Sequence, residues 1–198
     1  MRTIATLGRW AGHATLLLVL AACGREADTG TCSERQPNLL QDPQFSTLGA
    51  PRSQRRWFAS EHAAGRSFEY AASDGVLTVR KTGREPWFLL KQIIKDPSIA
   101  GRDIVYSADI RLDLHPPAAR HGFKTGGGLV LTAHKGGRIA LNSVLEHEPH
   151  MGSSDWQPVS VRLSIPPGVT QLRPGILHQA DGTLQVRNPR LSLAGCDT

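Results

Sequence analysis

Beyond residue 38, apolar and polar side chains alternate in short runs, and no stretch sustains a helical period. The clearest run is Asp103–Leu114. Ile104, Tyr106, Ala108, Ile110, Leu112 and Leu114 share one parity there, while Ser107, Asp109, Arg111 and Asp113 take the other. This is the pattern of a long antiparallel strand with one face buried. Val76–Arg80 repeats it in brief, and from Trp156 to Ile165 the inward set is Val159, Val161, Leu163 and Ile165. Trp87–Ile94 is denser in apolar residues, as expected of a strand covered on both faces or passing through the core. Trp57–Ala59, Arg66–Ala71, Leu129–Thr132, Ile139–Leu145, Leu172–His178 and Leu184–Leu193 complete the strand set, with loops expected over 115–127 and 146–155. Asp74-Gly75, Gly136-Gly137, Pro166-Pro167-Gly168 and Asp181-Gly182 supply turn chemistry between them. Many short strands punctuated by Gly and Pro predict an all-β fold, an antiparallel β-sandwich or jelly roll spanning residues 38–196.

Residues 1–22 break the pattern. Arg2 and Arg9 form a basic, acid-free lead into Ala14–Ala22, an apolar run too short for a spanning helix. Arg25, Glu26 and Asp28 follow at once. The run reads as a signal peptide, and Leu20-Ala21-Ala22-Cys23 at its end resembles the bacterial lipobox, which keeps and lipidates its cysteine. An ordinary cut after Ala22 leaves that cysteine unexplained. The resemblance implies an acylated Cys23 as the new N-terminus, and two or more chains anchor stably without a transmembrane helix. Gly24, rather than aspartate, in the next position implies the outer membrane of a bacterial envelope. Residues 23–37 are small and polar and read as a flexible tether.

The remaining cysteines, Cys32 and Cys196, lie near the two ends of the mature chain. Exported domains readily form disulfides, and domain termini often lie close together. A bridge is the preferred reading over two free thiols or a bond to another protein. Closing so long a loop contributes about 5 kcal/mol in the chain-entropy account. The formal charge of +6 falls to about +4 without Arg2 and Arg9. Only Arg52, Arg55 and Arg56 cluster, beside Trp57. A solvated loop accounts for them, and export argues against nucleic acid as a partner.

Four stretches occur in the order found in galactose-binding-like jelly rolls, especially those serving as carbohydrate-binding modules. They are Asn38–Phe45, Tyr106–Arg111, Asp155–Val161 leading to Pro166-Pro167-Gly168, and Asp181–Leu184 through Leu193. The chain resembles that family over nearly all its mature length, which implies the jelly-roll fold and, less specifically, glycan binding. Where the family often places an acidic calcium ligand before the last strand, this chain has Asn188 followed by Pro189, with Asp42 near the start. No calcium site is assigned.

Sugar binding by stacking needs an exposed aromatic face with polar groups around it. Aromatic residues make up only 6% of the chain, so the candidates are few. They are Trp57, Tyr70, Trp87, Phe88, Phe123 and Trp156. Trp57 and Trp156 are expected to be structural. Trp87, after Gly83-Arg84-Glu85-Pro86, is the leading ligand candidate, with Arg84 and Tyr70 beside it. Glu146-His147-Glu148-Pro149-His150, with His121 and His134, packs metal-capable groups without any recognised zinc spacing, and reads as a polar loop. Asp109, Arg111 and Asp113 read as a salt-bridged, solvated face. No nucleophile elbow, zinc-protease helix or phosphate loop is present in the sequence, and no cofactor or metal is assigned.

The expected function is a non-catalytic binding lipoprotein with a glycan or other extracellular ligand. The alternative is an envelope protein docking a partner without a small ligand, and a metal-dependent hydrolase stands third. In the folded, unreduced protein neither Cys32 nor Cys196 should take up iodoacetamide, and both should after reduction, as read by intact mass. Labelling of both thiols without reductant would remove the bridge.

Overall fold

A computed structural model describes residues 36–63, 65–117, 122, 124–143 and 149–195. The signal, Cys23, Cys32, Cys196, His121, Phe123 and Glu146–Glu148 lie outside the described residues.

Eleven strands run β1 (Phe58–Glu61), β2 (Phe68–Ser73), β3 (Val76–Lys81), β4 (Phe88–Lys91), β5 (Ile94–Lys95), β6 (Asp103–His115), β7 (Gly127–Lys135), β8 (Arg138–Ser143), β9 (Gly152–Ser164), β10 (Gln171–His178) and β11 (Asp181–Leu193). They form two antiparallel sheets, one ordered β1-β4-β10-β7-β8 with β5 also on β10, the other β2-β3-β11-β6-β9. We call these the β10 sheet and the β11 sheet after their central strands. The expected antiparallel two-sheet sandwich is what forms.

Alternation explains the packing. All six inward residues of the Asp103–Leu114 run are buried, and Leu184, Val186 and Leu191 of β11 join them. Leu129, Leu131 and Ala133 of β7, with Leu172 and Ile176 of β10, close the interior from the opposite sheet. Each such side chain contributes about 1.5–3 kcal/mol by leaving water. The Tyr106 hydroxyl is fully buried and finds no hydrogen-bond partner among the described residues, and burial pushes its ionisation well above the usual range. The ring's bulk is what fills the interior there.

The opening segment is clasped to β11 by hydrogen bonds from the Asn38 and Arg190 side chains. Asn38 Oδ1 accepts from Leu40 N (3.1 Å) and Leu191 N (3.0 Å), and its Nδ2 donates to Pro189 O (3.1 Å). Arg190 adds a bond to the Gln36 carbonyl. Asp42 is buried, and its two oxygens accept four hydrogen bonds from the backbones and hydroxyls of Ser46 and Thr47, at 2.7–2.9 Å. Burial pushes its carboxyl up, but the bonds from Thr47 and Ser46 outweigh that and hold it below the usual value. Asn188 donates to Asp109 Oδ2 at 3.0 Å. Both positions are thus engaged with protein partners. Trp57 is buried as expected, with Nε1–H donating to the Asp42 carbonyl (2.7 Å) and its ring tilted on Phe45.

Three sequence expectations change in detail. Trp87–Ile94 is not a single strand covered on both faces. Phe88 and Leu90 point inward, Leu89 and Lys91 point outward, and pairing lapses at Gln92-Ile93 before β5. The expected loop over 146–155 ends at Gly152, because Ser153 and Ser154 pair with Asp113 and Leu112 of β6 despite their polarity. An edge strand needs no apolar outer face. Asp181-Gly182 begins β11 instead of turning the chain. Gly182 lies at φ 98°, and a Cβ there would stand 2.0 Å from the Asp113 carbonyl oxygen, so close strand approach is what requires glycine. Asp74-Gly75 does turn, with φ of 52° and 74° matching the two-residue hairpin type that needs both positive.

His178 closes the interior beside the start of β11. Its Nδ1 accepts from Ala180 N (3.4 Å), so its proton sits on Nε2, which donates to the Gly182 carbonyl (3.3 Å). Burial lowers its pKa to about 4. Below its unfolded pKa near 6.5 the unfolded chain gains a proton that the folded chain refuses, so stability falls with pH until about 4. Denaturant unfolding from pH 7 to 4 should show wild type losing about 3 kcal/mol more than His178→Gln. Equal slopes for the two proteins would contradict the buried neutral imidazole.

Candidate functional site

With one parity spent on the interior, three surfaces remain for ligands: the outer face of each sheet, and the open side where edge strands β1 and β2 meet.

The β11 sheet's outer face is polar, and its charges largely answer one another. Arg187 Nε lies 3.2 Å from Asp109 Oδ2, Arg162 Nη2 3.2 Å from Asp103 Oδ2, and Arg80 Nη2 2.6 Å from Glu69 Oε2, while Arg111 lies 3.9 Å from Asp155. Trp156 stands on this face. The register shift between Ile110 and Leu112 sets both Asp155 and Trp156 against Arg111, turning the indole outward. The Arg187 guanidinium then lies 4.3 Å from its ring centre. Trp156 is held in a structural contact, though on the surface rather than in the core. A shallow hollow beside it runs over Ala71, Thr78, Gln185 and Arg111.

The open side carries a hollow of about 740 Å³, lined by Arg55, Glu61, Arg66, Phe68, Glu69 and Tyr70 among others. A second hollow of about 580 Å³ shares Arg55 and Tyr70 with it. Tyr70 is on the inward parity of β2, and its half-buried ring tilts on Phe88 with centres 5.0 Å apart. Volume here comes from a gap between edges, with acids and arginines mixed along it.

The β10 sheet's outer face differs. Trp87 and Leu89 pack over Val130 of β7 and Leu177 of β10, an apolar cluster outside the main interior. A Cβ on Gly175 would lie 3.0 Å from both Leu89 and Val130, so glycine lets these side chains close over the strand. Trp87 remains half-buried, with its ring edge-on to His62 at 6.0 Å, and His62 in turn lies 3.4 Å from Glu85. Beyond this cluster the face turns polar and basic. Lys91 stands opposite Gly175, Arg173 opposite Thr132, Gln171 opposite His134 on one side and Lys95 on the other, and Asn142 opposite Thr132. The Gln171 amide oxygen, in the orientation that satisfies both groups, accepts from Arg173 Nε (2.5 Å) and Nη2 (3.0 Å). Thr132 Oγ1 meets His134 Nε2 at 3.0 Å.

Of the three candidates from sequence, Trp87 lies on this face, Tyr70 between the sheets at their open side, and Arg84 exposed in the loop from β3 to β4. Successive residues of a strand point to opposite faces, so Phe88 under Tyr70 places Trp87 on the far side. The structure therefore does not gather the three. Lys91 and Arg173 went unremarked in the sequence, and His134 was named only among metal-capable groups; each sits on the outer parity of its own strand, and only the β4–β10–β7 pairing unites them. Among the described residues no three His, Cys, Asp or Glu side chains converge as a metal site would require. Asp109 and Arg111 lie on the salt-bridged face expected for them.

No protein-family model and no curated protein sequence matches the chain. Solved structures share its fold. Tailspike protein 4 of bacteriophage CBA120, in its enzymatically active domain, superposes with TM-score 0.55 at 12% identity over 79% of this chain, which spans only 21% of that one. A family 4 carbohydrate-binding module gives TM-score 0.52 at 11% identity, covering 78% of this chain and 99% of the module. A candidate sugar-binding protein from Bacteroides thetaiotaomicron gives 0.51 at 12% identity, covering 80% of this chain and all of that one. At such identities the likeness is one of architecture. The chain is an antiparallel two-sheet jelly roll of the kind seen in carbohydrate-binding modules.

Proposed function

We propose that the domain is a non-catalytic carbohydrate-binding module that takes its ligand on the outer face of the β10 sheet, with Trp87 as the ring platform. The observation that carries this reading is the contrast between the two outer faces. On the β11 sheet each of four arginines has a carboxylate within 4 Å, and the indole is covered on one side by Arg187. On the β10 sheet a half-buried indole adjoins a strip of donors, Lys91, Arg173, Thr132 and Asn142, none of which is ion-paired to a carboxylate among the described residues. A pyranose offers C–H groups to an aromatic face and hydroxyls to such donors. Sugar binding in structural neighbours supports the reading at the level of architecture.

Anchoring belongs to the same proposal. An acylated Cys23 would hold the module at a bacterial envelope, by the outer-membrane sorting that Gly24 implies, with residues 24–37 as a short leash. Labelled palmitate should enter the full chain and be lost in Cys23→Ser.

The second reading, docking of a partner protein, has one observation in its favour: Ile139, on edge strand β8 beside His134, is 60% exposed. A glycan array with the soluble domain from residue 24 separates the two readings. Trp87→Ala should lose at least tenfold in affinity for the glycans bound, and Trp156→Ala should keep wild-type affinity. An empty array together with one stoichiometric protein partner from envelope extracts would replace the first reading with the second.

A further inference from the structure

Resting on that reading, we infer that the ligand is an acidic oligosaccharide, whose carboxylate or sulfate groups sit over Lys91 and Arg173 while a neighbouring ring stacks on Trp87. The inference stands on where charge falls on one face. Strands β5, β4, β10 and β7 direct Lys95, Lys91, Arg173 and His134 to the same side. Lys91 opposes Gly175, two residues along β10 from Arg173, and His134 opposes Gln171, two residues the other way. Each is thus a diagonal neighbour of Arg173, within reach of long side chains.

Among the described residues, no acid stands at an outward strand position of this face. Its outward positions are Phe58 and Ser60 on β1, Leu89 and Lys91 on β4, Lys95 on β5, Gly128, Val130, Thr132 and His134 on β7, Ile139 and Asn142 on β8, and 171, 173, 175 and 177 on β10. None is Asp or Glu. Of the ion pairs among the described residues, only His62–Glu85 adjoins this face, at its Trp87 end, and the others lie elsewhere. Gln171 fixes the Arg173 fork without neutralising it.

Folding has therefore brought like charges together in a partly dry place with nothing to offset them. Burial, then the Arg173 guanidinium, pushes the Lys91 ammonium below its usual pKa. His134 is 4% exposed, and burial, then Arg173, then Lys91 lower it as well, against a raising contact from Gly137. An anionic group bound among them would relieve that repulsion, and the planar guanidinium of Arg173, oriented by Gln171, suits the paired oxygens of a carboxylate or sulfate. The indole and the cations are spaced along one strand direction. From Trp87 to Lys91 is about 13 Å at 3.3 Å per residue, longer than one sugar ring, so an oligosaccharide fits the span.

The test uses the soluble domain from residue 24 and an array in which each acidic glycan is printed beside its desulfated or carboxyl-reduced form. The acidic members should bind at least tenfold more tightly than their neutral twins, less so at high salt. Lys91→Gln/Arg173→Gln, checked for native folding by circular dichroism, should lose that preference, whereas Trp87→Ala should weaken acidic and neutral members alike. Inorganic sulfate should raise the His134 pKa in wild type, read by NMR, and not in the double variant. If neutral twins bind as well as acidic ones, the acid preference is wrong and the sugar-binding reading survives. If no glycan of either kind binds, both fall together.

Discussion

One constraint governs this molecule: two sheets must bury a single shared interior, and every strand must spend one parity of its side chains to do so. Ile104, Tyr106, Ala108, Ile110, Leu112 and Leu114 meet that demand from β6, as Leu129, Leu131 and Ala133 do from β7. Even an orphaned hydroxyl is tolerated at Tyr106 because the ring fills the space. The other parity is left unconstrained by the interior, and what stands there records other demands.

Those demands differ between the faces. The β11 sheet pairs its arginines with aspartates and glutamates across strands, which contributes little stability at the surface but leaves no charge seeking a partner. The β10 sheet collects Lys91, Lys95, Arg173 and His134 without an acid and sets them beside the Trp87 cluster. Stability alone would disfavour that arrangement. The proposed recognition of acidic sugars would give it a physical purpose, and the two hollows on the open side owe their volume to the gap between edge strands instead.

Much of the fold was legible in the sequence, because period-two alternation is a direct consequence of the shared interior. The β6 run, the Asp74-Gly75 turn and the burial of Trp57 could be read residue by residue. Start points were less legible where polar edge residues such as Ser153 and Ser154 pair through backbone alone. The site was legible only in part. Trp87 could be nominated from its type and its place at a strand entrance. Tyr70 and Arg84 could not be separated from it, since the opposite parity of Phe88 matters only once β2 is packed against β4. The basic strip was invisible for a plainer reason: Lys91, His134 and Arg173 lie far apart in the chain and become neighbours only through cross-strand register. Parity tells which face a residue takes, not which residue it meets.

The most direct test of this account is to follow the indole N–H signals of Trp57, Trp87 and Trp156 by NMR while the tightest-binding array glycan is added. The account predicts that the Trp87 signal moves with those of Lys91 and Arg173, and that Trp156 and buried Trp57 stay fixed. Movement of Trp156 with Trp87 unchanged would put the ligand on the β11 sheet and contradict it.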